Sequence, residues 1–233
     1  MKRFNYTFAA AAVAALFASS SAHAGVIGVY GQYPSAGALT GGLGAHGHTV
    51  LALGELSEAS LAGIDTVILG RDRSGNSALG SFVQGGGKLI TEWTSAWYGM
   101  SLLNGSASDN YSNAFDSNVV FTAAGLAAGL GDQLGSYYTD GNSSQFFQDF
   151  GNLGLGTVYA TRNGSATAIV GGTVGKGFVW VNGYDWADAP GSASFQLLAN
   201  EIAYGEPTGV PEPASVALLG LGLFGLASLR RRA

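Results

Sequence analysis

The chain has no cysteine among its 233 residues. That absence excludes a disulfide framework, a thiolate metal site and a thiol nucleophile, so any folded part must hold together through its core alone. Charge is scarce as well. Charged residues make up 11% of the sequence, under half of the ordinary ~25%. Between Gly25 and Gly209 the basic residues are Arg71, Arg73, Lys88, Arg162 and Lys176, set against fourteen carboxylates for a net charge of −9. A surface of that sign repels phosphate backbones, which removes nucleic acid from the expected partners. With aromatics at 11%, the low charge also argues against a disordered chain. What the sequence has in excess is glycine, 38 residues. They follow no repeat period and sit in pairs or beside Asn, as at Gly41-Gly42, Gly85-Gly86-Gly87, Asn104-Gly105 and Gly171-Gly172, which is turn chemistry.

The two ends differ from the middle. Residues 1–24 run from Lys2-Arg3 through an apolar stretch to Ala22-His23-Ala24, the order of a secretion signal. The run is shorter than the ~20 residues a spanning helix needs, and Ala22 and Ala24 suit the small-residue pockets of a signal peptidase. Cleavage is expected after Ala24, leaving Gly25 first, with the secretion translocon and signal peptidase as partners. At the other end Val210-Pro211-Glu212-Pro213 precedes an uncharged run, 214–229, and then Arg230-Arg231-Arg232-Ala233. As a helix that run is about 24 Å long, and snorkelling arginines would extend it across a membrane. Arginines beyond an apolar helix stay in the cytoplasm, so the expected order is domain outside, tail inside. Pro207 and Pro211 in the linker, 206–213, oppose a continuous helix from the domain into the anchor.

Pro211-Glu212-Pro213, the Gly-rich apolar run with Leu218-Leu219-Gly220-Leu221-Gly222-Leu223, and the terminal arginines together resemble the PEP-CTERM sorting signal. The resemblance implies that Val210, Pro211, Glu212 and Pro213 are read by exosortase, a membrane protease or transpeptidase, and that Arg230, Arg231 and Arg232 mark the cytoplasmic side. It implies anchoring in the inner membrane facing the periplasm, then the outer surface or an exopolysaccharide or biofilm matrix after processing. It implies nothing about the activity of residues 25–205.

Those residues read as one α/β domain. Val26 to Tyr30, Thr49 to Leu53, Asp65 to Gly70 and Lys88 to Thr91 are continuous apolar strands, the pattern of a sheet buried on both faces. Helical segments alternate with them at Ala36 to His46, Leu56 to Ala62 and Ser77 to Gln84. Residues 98–150, rich in Asn, Ser, Gly and Asp, read as an irregular insertion with one helix-like patch at Phe121 to Leu130. Strands resume at Thr157 to Thr161, Ala166 to Val170 and Gly177 to Asn182, with a hairpin turn at Gly175-Lys176-Gly177, and a helix follows from about Ser192 to Tyr204. The expected fold is therefore a flavodoxin-like, largely parallel sheet flanked by helices. Asp65 to Leu69, Leu79 to Ile90 and Gly175 to Trp186 resemble the class I glutamine-amidotransferase-like group that includes ThuA-like proteins. Catalytic members carry a Cys at a sharp turn after a central strand. Here that turn reads Glu92-Trp93-Thr94-Ser95, without Cys and without a Gly-x-Ser-x-Gly elbow, so the amidotransferase activity does not carry over.

Ligands of such sheets bind beyond the carboxyl ends of the strands. Gln32, Asp72, Glu92, Trp93, Asp185 and Trp186 fall there, and carboxylates beside aromatic planes suit a sugar. The plainer reading of the same residues is the preferred one: an ion-pair cluster of Asp72 with Arg71 and Arg73, Asp185 and Asp188 as turn residues, and core tryptophans. His46 and His48 lie at the start of the second strand without a third ligand, so no metal is expected, and Gly28-Val29-Tyr30-Gly31 lacks the dinucleotide fingerprint, so no cofactor is expected. Three functions remain: a non-catalytic envelope or matrix protein, which is favoured, a glycan hydrolase using the loop carboxylates, and a carbohydrate-binding module.

Overall fold

Aliphatic runs become strands, buried in the interior of the sheet and largely exposed at its edge strand Thr49–Ala52. The first four are β1 (Val26–Tyr30), β2 (Thr49–Ala52), β3 (Thr66–Leu69) and β4 (Lys88–Thr91), all parallel in the order β2-β1-β3-β4. The computed structural model describes residues 24–113, 117–139, 146–188 and 191–205. Helices α1 (Ala36–Ala45), α2 (Glu58–Leu61) and α3 (Ser77–Gly85) make the crossovers, α4 (Ala96–Leu102) follows β4, and α6 (Ser192–Ala203) closes the domain. Side-chain caps start three of them. Ser35 accepts from the Ala38 amide, Ser57 from Ser60, and Asn76 from Leu79, each satisfying a backbone donor the helix leaves open.

The strands divide their side chains between two cores. Ile27, Val29, Ile68 and Ile90 pack with Leu39 and Leu43 of α1 and Leu198 and Ile202 of α6. Val67, Leu69 and Leu89 point the other way, to Leu61, Leu79, Val83 and Met100 on α2, α3 and α4. Alternation along each strand thus feeds both faces of one sheet, and each fully buried aliphatic side chain contributes about 1.5–3 kcal/mol. The glycines of α1 cost helix stability, but a Cβ at Gly42 would overlap the Phe195 ring of α6, so this one permits the helices to touch.

Two expectations are corrected here. The sheet has nine strands and is parallel only through β2-β1-β3-β4-β11, where β11 is Gly177–Asn182. From β11 it continues antiparallel through β10 (Ala166–Val174), β9 (Thr157–Arg162) and β6 (Val119–Phe121) to β7 (Tyr137–Tyr138). Short turns join β9, β10 and β11, and a short turn can only return the chain antiparallel. Gly175 sits in the last turn at φ 62°, as the Gly-Lys-Gly sequence predicts. Residues 98–150 are also not simply irregular. They supply β6 and β7 to the main sheet, α5 (Ala123–Ala127), and a separate antiparallel pair of β5 (Ala107–Asn113) and β8 (Phe146–Phe150). These strands are short or set among polar residues, and they exist because partners complete their backbone hydrogen bonds.

The secretion signal up to residue 23, and the linker, sorting motif, anchor and arginine tail from 206 onward, lie outside the described residues. Among the described residues no helix is long and apolar enough to cross a membrane.

Candidate functional site

The chain passes from β1 to β2 on one side of β1 and returns to β3 on the other, so the strand order reverses between β1 and β3. Crevices form at the carboxyl ends of such a pair. Tyr33 leaves β1 there, Arg71 leaves β3, Glu92 and Trp93 leave β4, and Asp185 to Asp188 leave β11. The loops are pressed together at Gly70, where a Cβ would fall 2.6 Å from the Tyr33 carbonyl oxygen. The Arg71 amide in turn donates to that carbonyl at 2.7 Å.

Arg71 is the centre of the arrangement. Its Nη2 donates to Glu92 Oε1 at 3.0 Å and to Asp185 Oδ1 at 2.5 Å, its Nε to Glu92 Oε2 at 3.3 Å, and its Nη1 to Asp188 Oδ1 at 2.8 Å. The guanidinium lies over the Trp93 ring at 4.9 Å and over the Tyr33 ring at 5.5 Å. Trp93 is backed by Phe146 of β8, stacked at 5.5 Å. Glu92 and Asp185 have no exposure, and Glu92 also accepts from the Ala187 amide at 3.4 Å. One cation faces three carboxylates, which sets the protonation. Burial pushes Glu92 up to about 7 against the pull of Arg71. Burial, then the charge of Glu92, pushes Asp185 up to about 8, and Asp185 Oδ2 has no hydrogen-bond partner. Glu92 and Asp185 share the Arg71 guanidinium and disfavour each other's charge, so both are raised into the neutral range and their titrations are linked. Burial pulls the Arg71 guanidinium down, but the Glu92, Asp185 and Asp188 carboxylates outweigh it and hold Arg71 above its ordinary value.

A cavity of about 390 Å³ opens on the other side of the β4 turn, lined by Asp72, Arg73, Ser74, Thr94, Trp97 and Gln148. Asp72 and Trp93, at φ 56° and 38°, hold left-handed backbone beside it, which non-glycine residues adopt at a cost of about 1–3 kcal/mol.

The residues predicted for a cleft therefore part company. Glu92, Asp185 and Trp93 converge on Arg71. Asp72 turns to the cavity, where the Thr94 hydroxyl donates to its Oδ1 at 2.9 Å, and the ion pairs of this edge run from Arg71 to Glu92, Asp185 and Asp188. Trp186 is 1% exposed, belongs to the core beneath the sheet edge, and donates its indole N–H to the Thr91 carbonyl at 3.4 Å. Gln32 is exposed on the loop after β1 and takes no part in the cluster. Arg71 as organiser, and Trp97, Thr94 and Gln148 as cavity wall, were not singled out from sequence. The signal for Arg71 was a guanidinium at the end of β3 facing carboxylates on loops that the sheet order brings together.

Residues 209–232 match the PEP-CTERM protein-sorting motif. This motif implies an exported protein processed at a membrane by exosortase. The match covers the tail and no part of the described domain. No curated protein matches the chain. Among solved structures, a cytoplasmic protein from Salmonella typhimurium superposes with a TM-score of 0.57 at 12% identity, over 76% of this chain and 97% of that one. A ThuA-like protein from Bacteroides uniformis ATCC 8492 superposes at 0.55 and 12% identity, over 83% and 96%. A β-galactosidase from Bacillus circulans sp. alkalophilus superposes at 0.53 and 11% identity, over 81% of this chain and 32% of the enzyme. At such identities the likeness concerns the fold, and the fold is ThuA-like.

Proposed function

We propose that this is an envelope or matrix protein, exported, anchored by its tail in the inner membrane facing the periplasm, and sorted by exosortase, whose ThuA-like domain does not catalyse a reaction. The observation that carries the second half is the Arg71 cluster. Where related catalytic folds place a nucleophile after the fourth strand, this chain has Glu92, buried and bound to Arg71. Glycoside hydrolysis needs two carboxyl groups about 5–5.5 Å apart for retention or about 6.5–9.5 Å for inversion, with the sugar between them. Glu92 and Asp185 instead bind the same Arg71 nitrogen, so a guanidinium stands between them where a scissile bond would have to lie.

Export and sorting rest on the motif at 209–232 together with the secretion-signal pattern at 1–24. Deleting Pro211 to Ala233 is expected to release the protein in soluble form, followed by membrane fractionation. Continued retention of the truncated chain in the membrane fraction would sink the anchor assignment. Grafting Val210 to Ala233 onto an unrelated exported domain is expected to confer retention and processing in a host that has exosortase. Turnover of an exopolysaccharide that is abolished by Glu92→Gln, with folding intact, would overturn the non-catalytic reading.

A further inference from the structure

The cavity beside the β4 turn has a constructed wall. Gln148 is only 4% exposed, yet it reaches the cavity, and its amide is oriented by two partners: it donates to the Ser108 carbonyl and accepts from Trp93 Nε1 at 3.3 Å. An amide has two donors and two lone pairs, so one of each remains. Thr94 Oγ1 accepts from the Asp72 amide at 2.8 Å and donates to Asp72 Oδ1, which pins the carboxylate at the rim. Trp97, on the first turn of α4, stays 43% exposed as the apolar part of the lining. The volume falls at the small end of the ~300–1,000 Å³ range of ligand sites. Asp72 and Arg73 bring one charge of each sign, so the wall is neutral overall, while it combines an aromatic plane with several hydroxyl-seeking groups. A flat ring with an apolar C–H face and equatorial hydroxyls matches that combination, because the indole covers the C–H face and the carboxylate, amide and hydroxyl take the polar edge.

We propose that this cavity binds a neutral pyranose unit of a polysaccharide, with Trp97 as its stacking platform and Asp72, Thr94 and Gln148 as its hydroxyl partners. The site is separate from the Arg71 cluster and stands whether or not the domain catalyses anything. It would let a sorted protein hold matrix glycan.

The full chain, reconstituted in phospholipid nanodiscs so that no sugar detergent competes, is titrated calorimetrically with neutral gluco-, galacto- and manno-oligosaccharides, and with an oligouronate as charged control. Saturable binding of a neutral series is expected. Trp97→Ala should weaken it about tenfold or more and Trp97→Phe by no more than about threefold, with the melting temperature of both unchanged. Absence of neutral-sugar binding, binding indifferent to Trp97→Ala, or preference for the oligouronate would each overturn the proposal. Release of new reducing ends with Trp97-dependent binding intact would leave this site standing and remove only the non-catalytic reading.

Discussion

The two sides of the turn after β4 differ in what they do with the same kinds of residue. On one side Arg71, Glu92 and Asp185 are packed beneath Tyr33 and Trp93, and one guanidinium answers the carboxyl groups around it. On the other, Asp72, Arg73 and Trp97 line an open cavity. A single backbone feature separates them, the left-handed pair at Asp72 and Trp93 that sends Arg71 one way and Asp72 the other. The contrast teaches that a carboxylate near an aromatic at a sheet edge is not by itself a site. Closed against a cation it holds loops together, and left at a rim it can take a ligand.

Removing the cation should break the closed side most severely. Arg71→Ala leaves Glu92 and Asp185 buried without a counter-charge, a loss on the order of 3–5 kcal/mol, and the melting temperature should fall by about 10 °C at neutral pH. A melting temperature unchanged by this substitution would show that the cluster is dispensable for the fold.

Proton linkage sharpens the comparison next. The carboxyl groups of Glu92 and Asp185 are raised, and so is Glu201 on α6, which burial pushes up to about 8 although Asn182 donates to its Oε2 at 3.1 Å. A raised carboxyl binds a proton in the folded state that the unfolded chain has already released. Stability should therefore fall as pH rises from about 4 to about 8 and level off above that. Glu201→Gln keeps an oxygen for Asn182 and abolishes one ionisation. It should raise the melting temperature at pH 8 by several degrees and change it little at pH 5, and an equal shift at both values would mean that Glu201 is not protonated on folding.

Asp188 is the mildest member of the cluster because its side chain is 34% exposed. Asp188→Asn should cost no more than about 1 kcal/mol in chemical denaturation, as partly solvated ion pairs do. A loss comparable to that of Arg71→Ala would place Asp188 among the buried members. On the open side, Trp97→Ala should alter stability by less than about 0.5 kcal/mol, since it removes a surface side chain. A larger loss in the same denaturation experiment would make Trp97 part of the core and not a platform.

Much of the architecture was readable as local pattern. Continuous aliphatic runs marked β1, β3 and β4, Gly175-Lys176-Gly177 marked the turn between β10 and β11, and the helical segment from about Ser192 to Tyr204 marked α6. The strands β5 to β8 were not readable, because each is short or polar and is extended where a neighbouring strand completes its backbone hydrogen bonds. Trp186 looked like a ligand platform from its position after β11, but the sheet edge buries it.

The site divides in the same way. Sequence alone determined which chemistry is absent, since no Cys means no thiol nucleophile, and it determined the sorting motif, because recognition of Pro211-Glu212-Pro213 with its apolar run and arginines depends on contiguous residues. Only the tertiary structure decided that Arg71 meets Glu92, Asp185 and Asp188, at separations of 21, 114 and 117 residues, and that Gln148 reaches the cavity beside Thr94. Spacing along a chain reports periodicity within one element. The meeting of charges from three loops depends on strand order, and strand order is set by which apolar faces bury one another across the whole domain.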